Sequence, residues 1–353
     1  MIVTMQDVAE KARVSKATIS RIINNKPSGI RVSAKTQERV LKIVKELNYQ
    51  PNIFARSLKT KKSRMLGVIV ADMKTSLYFG TILSGVEEAA NSREYYPLIC
   101  SLDNNLRQED VYLDILRKNR VAGILLIGAM LELKDETVKQ LVEDNISIVF
   151  IGRKIENPKV SYVSVNNVQG GFLATEHLLK LGHTEIGVIL GLPGSIESEE
   201  RYRGYRSALE KYGIEADESL VVSRSRETNA YLYGYRKAMN LLQREKMPTA
   251  IFACGDTYAF GAIKALREQG LRVPEDLSIV GFNDTVAAGY YNPPLTTIRQ
   301  PMAEMGRAGA NLLINALENK SANDKSGARL NQLELAAQGR QAKIDQGAPG
   351  NRN

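Results

Sequence analysis

Four side chains near the N-terminus have the chemistry and spacing needed to contact base pairs. Lys16, Ala17, Ser20 and Arg21 fall on the outward side of a short predicted helix, in the stretch "KATISRII". An arginine can pair with guanine through two hydrogen bonds, a lysine can reach guanine or a phosphate, and an alanine can pack on a thymine methyl group. The alternative is a plain helical hairpin with exposed basic residues.

The neighbouring residues predict the elements that hold these side chains in place. Thr4 is a suitable N-cap for a first helix of about two turns, with Asp7 in its first turn. Arg13 and Val14 make a tight connection, and Ser15 is a suitable N-cap for the second helix. Two short helices joined in this way are typical of a helix-turn-helix, whose second helix enters the major groove. A third amphipathic helix, capped by Ser33, closes a small core.

The positive charge of the chain is concentrated in this region. Residues 1–64 contain 15 Lys and Arg against 4 Asp and Glu, a net charge of +11, whereas the remaining 289 residues contain 33 against 35. Such an asymmetry favours binding to a polyanion, most often a nucleic acid. The alternative is a solvated basic face.

A segment with both apolar and basic residues follows the three helices. In "PNIFARSLKTKKSR", Asn52 could cap a short helix, and Phe54 and Leu58 are flanked by basic residues. An apolar wedge beside basic residues is typical of proteins that kink DNA from the minor groove. An ordinary interdomain linker is the alternative.

From Met65 onward, short apolar runs alternate with amphipathic stretches, which predicts buried parallel strands joined by helices. The predicted strands cover residues 65–72, 96–102, 121–128, 146–152, 185–191, 250–256 and 277–284. The predicted helices between the first four cover residues 78–92, 106–119 and 135–145. Because the pattern occurs twice, we expect two α/β subdomains with mostly parallel sheets and a ligand cleft between them.

Several motifs resemble those of the LacI/GalR family of bacterial transcription regulators. The N-terminal matches are "MQDVAEKARVSKATISRIINN", "VSAKTQERVLKIVKELNYQPN" and "ARSL", and the resemblance extends over about residues 3–320. It implies a helix-turn-helix, a hinge that inserts Leu58 into the minor groove, and a core like that of periplasmic sugar-binding proteins. The candidate DNA-binding residues are Thr4, Ser15, Lys16, Ala17, Thr18, Ser20, Arg21, Asn24, Asn52, Ala55 and Leu58.

The same resemblance implies an effector site in the cleft. Its candidate residues are Tyr78, Phe79, Arg201, Asp256 and Asn283. Arg201 matches a cleft arginine that binds hydroxyls or carboxylates, and the others follow strands. Tyr78 and Phe79 could instead belong to a helix core, and Arg201 could instead serve a salt bridge.

Three positions depart from the family's pattern. Asn283 and Gly152 stand where the family often has Asp, and Asn229 stands where it often has an aromatic residue. These differences argue against transferring a known sugar to this cleft.

The C-terminal end does not continue the α/β pattern. Residues 323–353 are polar and short of β-branched residues, which predicts a disordered tail and a body that lacks its last strand. The predicted organisation is therefore a helix-turn-helix domain over 1–50, a hinge over 51–64, an effector-binding core over 65–322 and the tail.

These observations favour a DNA-binding repressor that acts as a homodimer on operator DNA and responds to a small, sugar-like effector. A secreted solute-binding protein would have a signal peptide and would lack a basic N-terminal module. This sequence shows the basic module and no signal peptide, so that class is disfavoured. An enzyme is disfavoured because no phosphate-binding loop, nucleophile elbow or metal-ligand cluster is present. The cysteines, Cys100 and Cys254, do not have the spacing of a metal site, and the histidines, His177 and His183, do not either. We therefore expect no metal and no cofactor. With no signal peptide and no apolar run long enough to cross a membrane, we expect a cytoplasmic protein.

Overall fold

The computed structural model describes most of the chain, with gaps in several loops and at the C-terminus. The described residues are 3–23, 32–49, 63–74, 77–103, 105, 108–128, 137, 140–141, 143–155, 160–191, 195–223, 229–322, 332–335 and 338–340. Backbone packing separates residues 1–63 from residues 64–353. The two units are described in turn.

The first unit is built from short amphipathic helices around one small core. The helices are α1 (Met5–Ala12), α2 (Lys16–Ile23) and α3 (Ala34–Glu46). Each helix contributes a side chain that is fully buried: Val8, Ile19 and Val40. The apolar positions of the sequence therefore face inward, as their helical spacing predicts.

Three of the four predicted N-caps are confirmed, and the fourth, Asn52, lies outside the described residues. In each case a side-chain oxygen accepts a hydrogen bond from the backbone N–H three residues later, and the capping residues are Thr4, Ser15 and Ser33. The turn after α1 depends on Arg13, which has a left-handed backbone (φ 50°) and donates its N–H to the end of α1. This turn sets the direction in which α2 leaves.

The second unit contains two α/β subdomains, and the first is built on a parallel sheet. Its strands, in spatial order, are β11 (Gln332–Leu335), β5 (Ser161–Val165), β4 (Ser147–Ile151), β3 (Gly123–Ile127), β1 (Met65–Val70) and β2 (Tyr96–Ser101). Helices α4 (Leu77–Ser92) and α11 (Met302–Ala322) cover one face, and α5 (Glu109–Lys118) covers the other. Both faces are buried, which explains the continuous apolar runs of the central strands.

The second subdomain has a similar sheet. Its strands, in spatial order, are β12 (Gln338–Arg340), β10 (Thr296–Arg299), β9 (Ser278–Asn283), β8 (Ala250–Ala253), β6 (Ile186–Ile189) and β7 (Val221–Val222), of which only β12 is antiparallel to its neighbour. The helices are α6 (Asn167–Lys180), α7 (Ile196–Lys211), α8 (Ala230–Leu242), α9 (Asp256–Glu268) and the short α10 (Val286–Tyr290), with a 3₁₀ turn at Glu218–Leu220. One face of the sheet packs on α6 and α7, and the other packs on α8 and α9.

The chain passes between the two subdomains three times. It crosses first at Asn166, between β5 and α6, and again at Gln300 and Pro301, between β10 and α11. The third crossing lies between β11 and β12, which belong to different sheets. Each subdomain is therefore assembled from separate stretches of sequence.

Helices α6 and α7 cross at a distance that only glycine allows. A Cβ atom on Gly171 would lie 2.1 Å from the carbonyl oxygen of Arg201, and one on Gly204 would lie 2.1 Å from that of Val168. Real Cβ atoms do not approach oxygen so closely, so the two backbones are in direct contact. The position of Arg201 is consequently fixed by the neighbouring helix.

The C-terminal end differs from the prediction. Gln332–Leu335 pairs with β5 in parallel, and Gln338–Arg340 pairs with β10 in antiparallel orientation. The expectation that the body lacks its last strand is therefore wrong. Backbone hydrogen bonds at an open sheet edge can recruit a segment whose composition alone suggests disorder. The remainder of 323–353 lies outside the described residues.

Candidate DNA interface and effector cleft

Helix α2 presents one side of its first two turns outward. Lys16 and Ala17 are exposed, Ser20 and Arg21 are half-buried, and Ile19 points into the core. The structure thus places the four predicted base-contacting residues on one side of one helix. A helix of this kind fits the major groove, where such side chains meet base edges.

Three of the four candidate hydroxyl residues of this unit take part in N-caps: Thr4, Ser15 and Thr18. Thr4 and Asp7 form a reciprocal capping box, in which the Thr4 N–H donates to Asp7 Oδ2 over 2.7 Å. Hydrogen bonds from Thr4 hold the pKa of Asp7 below its usual value. Ser15 and Thr18 share a hydroxyl contact of 3.0 Å at the start of α2. Their first role is to fix the helix ends, which are also favourable places for a DNA phosphate.

The remaining candidate DNA contacts lie outside the described residues. They are Asn24 in the loop after α2, and Asn52, Ala55 and Leu58 in the predicted hinge.

In the second unit, Arg201 is held by three contacts within its own subdomain. Its Nε donates to Asn167 Oδ1 over 2.9 Å, and one terminal nitrogen donates to the Cys254 carbonyl oxygen over 2.7 Å. Its guanidinium carbon lies 3.8 Å from the centre of the Phe282 ring, in a cation–π contact. A guanidinium has five N–H donors, and these two hydrogen bonds use two of them.

A short chain of hydrogen bonds joins the two subdomains beside Arg201. The Tyr78 hydroxyl donates to Gln300 Oε1 over 3.4 Å, and Gln300 Nε2 donates to Asn283 Oδ1 over 2.7 Å. Burial raises the pKa of Tyr78, and the charges of Arg201 and Glu197 also act on it. Tyr78, Arg201 and Asn283 therefore lie in one region, and their binding of an effector stays a prediction.

An ion pair provides a second link between the subdomains. Lys154, which follows β4, places Nζ 2.9 Å from Glu200 Oε1 on α7. The other oxygen of Glu200 accepts from Asn167 Nδ2 over 3.2 Å. Because Asn167 also accepts from Arg201, the ion pair and the cleft arginine share one hydrogen-bonded residue.

Asp256 does not face the cleft, and this part of the prediction is wrong. Its exposed fraction is 0%, and its carboxylate accepts hydrogen bonds from the Thr285 N–H (2.7 Å), the Thr285 hydroxyl (2.9 Å) and the Thr297 hydroxyl (2.6 Å). Burial raises its pKa to about 6, and the hydrogen bonds act in the opposite direction. The carboxylate therefore holds β10 and the turn after β9 together inside the subdomain.

Phe79 is also mostly internal. Only 8% of it is exposed, and its ring belongs to the core that α4 and α11 form on the first sheet. Its ring meets that of Tyr78 edge to face at 5.1 Å. The structure thus favours a role in supporting Tyr78, and an effector contact from Phe79 stays a prediction.

Three residues of the cleft region are not identified by sequence reasoning: Glu197, Gln300 and Lys154. Gln300 follows a strand, as functional residues in α/β sheets often do, so its place after "TTIR" is a usable signal. Glu197 and Lys154 have no comparable pattern, since their burial depends on how the two subdomains meet.

The described residues offer neither a membrane-spanning helix nor a metal-binding cluster. None of the described helices has the length and apolarity to cross a membrane, and the described His, Cys, Asp and Glu side chains do not gather in a group of three or more that could bind a metal. His183 instead connects strand ends, with Nδ1 3.0 Å from the Thr249 hydroxyl and Nε2 3.1 Å from the Ser278 hydroxyl.

Comparison with known proteins identifies two parts of the chain, a helix-turn-helix region and an α/β region, as the structure does. Residues 4–52 match the family model "Bacterial regulatory proteins, lacI family", and residues 175–333 match "Periplasmic binding protein-like domain". The HTH-type transcriptional regulator DegA of Bacillus subtilis is 37% identical over 87% of this chain and 89% of its own length.

Solved structures extend the likeness to almost the whole chain. A lac repressor dimer bound to operator and the anti-inducer ONPF has a TM-score of 0.82 at 27% identity, covering 97% of this chain and 98% of the other. A complex of the transcriptional regulator CelR with cellobiose has a TM-score of 0.70 at 30% identity, covering 96% and 98%. With a helix-turn-helix, two parallel-sheet subdomains and these relatives, the chain belongs to the lacI family of bacterial regulatory proteins and is a DNA-binding transcriptional regulator, not an enzyme.

Proposed function

We propose that this regulator is a repressor whose operator affinity is controlled by a small carbohydrate-like effector bound between the two α/β subdomains. The observation that carries the proposal is the exposed first turn of α2, where Lys16 and Ala17 project from a capped helix beside Arg21. The net charge of +11 in residues 1–64 supplies the attraction to phosphates that such binding requires. Because the proposed target is operator DNA on the chromosome, we also propose that the protein is cytoplasmic.

The effector part of the proposal rests on the chemistry of the cleft. Arg201 is fixed by Asn167, Cys254 and Phe282, yet retains N–H donors suited to hydroxyl oxygens. Relatives of the same fold were solved with cellobiose and with the anti-inducer ONPF. Because Lys154–Glu200 and Tyr78–Gln300 join the subdomains next to Arg201, a ligand there would change how the subdomains meet.

We also propose that the protein acts as a homodimer. The lac repressor structure is a dimer on its operator. A twofold-symmetric dimer would place two α2 helices on two half-sites of a roughly palindromic operator.

Arg21→Ala tests the DNA-binding part of the proposal. We expect a roughly 10- to 100-fold loss of affinity for the operator in the upstream region of its own gene, because a bidentate base contact is worth about 1–3 kcal/mol. The measurement is a titration of operator and random DNA at several salt concentrations. Lys42→Ala, which removes one exposed charge from α3, is the matched control and should weaken both DNAs alike. If Arg21→Ala keeps the full preference for the operator, Arg21 does not contact bases.

Arg201→Ala tests the effector part. We expect the change in operator affinity caused by ribose or cellobiose to disappear, while affinity without sugar stays within about twofold, since Arg201 belongs to the other unit. A lost charge-assisted hydrogen bond costs about 1.5–3 kcal/mol, or roughly 10- to 100-fold in sugar affinity. Arg206→Ala, exposed on the same helix, is the control. An unchanged response to sugar would assign Arg201 a purely structural role.

A further inference from the structure

Glu197 is a carboxylate withdrawn from water at the start of α7. Only 6% of it is exposed. One oxygen, Oε2, accepts a hydrogen bond of 2.9 Å from the Ser195 hydroxyl. The other, Oε1, is buried and has no hydrogen-bond partner among the described residues. A buried carboxylate oxygen without a donor is unfavourable, so its retention calls for a compensating group from elsewhere.

The surroundings show where that group would come from. Glu197 precedes Arg201 by four residues on the same helix, so the two side chains share one face. The charges of Arg201, and of Arg153 from the other subdomain, stabilise the ionised form of Glu197, although burial raises its pKa overall. Tyr78, also from the other subdomain, is close enough for its hydroxyl to experience both Glu197 and Arg201. Glu197 therefore stands where the two subdomains face each other, beside the guanidinium assigned to the effector.

An ionised carboxylate accepts hydrogen bonds and cannot donate them, whereas a guanidinium only donates. The pair Glu197 and Arg201 is thus complementary to groups that both donate and accept. A hydroxyl does both, and adjacent hydroxyls of a sugar can donate to the carboxylate while accepting from the guanidinium. A carboxylate or phosphate at the same place would satisfy Arg201 but would oppose the charge of Glu197.

We propose that Glu197 is a specificity-determining residue, whose Oε1 accepts a hydrogen bond from a hydroxyl of a neutral sugar and which disfavours sugar acids and sugar phosphates. This inference rests on the proposed function only in requiring that the effector occupy the cleft. It selects one class, the neutral sugars, among carbohydrate-like effectors.

Calorimetric titration of the full chain at pH 7.5 tests this assignment. The probes are ribose, glucose and cellobiose, with ribose 5-phosphate, glucose 6-phosphate and cellobionate as their respective anionic counterparts. We expect at least one neutral sugar to bind tenfold or more tightly than its counterpart. Glu197→Gln should weaken that neutral sugar about tenfold and reduce the discrimination to threefold or less, because it removes the charge that both effects require.

The first turn of α7 also offers a matched control. Glu199→Gln makes the same change two residues away at an exposed position, and it should leave every affinity within twofold. A urea denaturation midpoint close to that of the wild-type protein shows that Glu197→Gln is folded. The proposal is overturned if no neutral sugar binds, if an anionic counterpart binds more tightly, or if Glu197→Gln behaves like Glu199→Gln. Failure of the repressor function is seen separately, as a loss of operator binding by the wild-type protein.

Discussion

Asp256→Ala should lower the free energy of unfolding of the second unit, residues 64–353, by about 2–4 kcal/mol. The reason is that Thr285 and Thr297 are both buried and together direct one N–H and two hydroxyls at the Asp256 carboxylate. Removing the acceptor leaves these donors without partners in a region closed to water, which is among the costly outcomes of a single substitution. Urea denaturation followed by circular dichroism measures the loss.

Asp256→Asn provides the control and a test of charge. It retains the shape and one acceptor oxygen, so it should cost less than alanine. The pH dependence should differ as well. Because burial raises the folded pKa of Asp256 to about 6, its contribution is complete below the ordinary value near 3.8 and is lost as the pH rises through 6. Wild-type stability relative to Asp256→Asn should therefore fall between pH 4 and 7. A flat difference would show that Asp256 is ionised throughout this range.

Gly204→Ala should destabilise the same unit by about 2–4 kcal/mol and weaken the response to effector. The added methyl group would lie 2.1 Å from the Val168 carbonyl oxygen, on backbone that cannot move independently of α6. The two helices would have to separate, and overpacking of this kind typically costs about 1–3 kcal/mol or more. Since Arg201 lies one turn earlier on α7, its hydrogen bonds to Asn167 and Cys254 would be displaced. Urea denaturation and sugar titration measure the two effects.

Gly80→Ala is the matched control for this substitution. Gly80 lies in helix α4, and a methyl group added there would have no described neighbouring atom within 4 Å, so alanine should be neutral or stabilising by up to about 1 kcal/mol. If Gly204→Ala proves equally harmless, the close crossing of α6 and α7 is not maintained in solution.

The sequence predicts most of the regular structure because periodicity reports burial. The seven predicted strands are all present, and α4 and α5 begin and end within about three residues of expectation. The helix predicted over 135–145 lies largely outside the described residues. Strand β5 was not predicted, since "SYVSV" carries polar residues, and β7 is only two residues long. Such strands form because a neighbouring strand supplies hydrogen bonds, a condition that local sequence does not contain.

The cleft is predictable only in part for a related reason. Arg201 can be located because it lies in "SEERYRGY", which resembles a motif of the LacI/GalR family, and Asn283 because it lies at the end of a predicted strand. Asp256 also follows a strand, but it turns inward, because Thr285 and Thr297 reach it from parts of the chain about 30 and 40 residues away. The burial of Glu197 likewise depends on side chains of both subdomains. Long-range partners of this kind decide whether a polar residue faces a ligand or the interior.

The three crossings between the subdomains limit the motion by which a bound ligand could be sensed. Asn166 is the single residue between β5 and α6, two residues separate β10 from α11, and two separate β11 from β12. Connections this short span only a few ångströms each, so the sheets cannot slide far past one another or come apart. Rotation about a few backbone bonds is the freedom that remains. An effector would then change the angle between the two subdomains. A substitution that stiffens any one crossing should reduce the range over which the subdomains can rotate relative to each other.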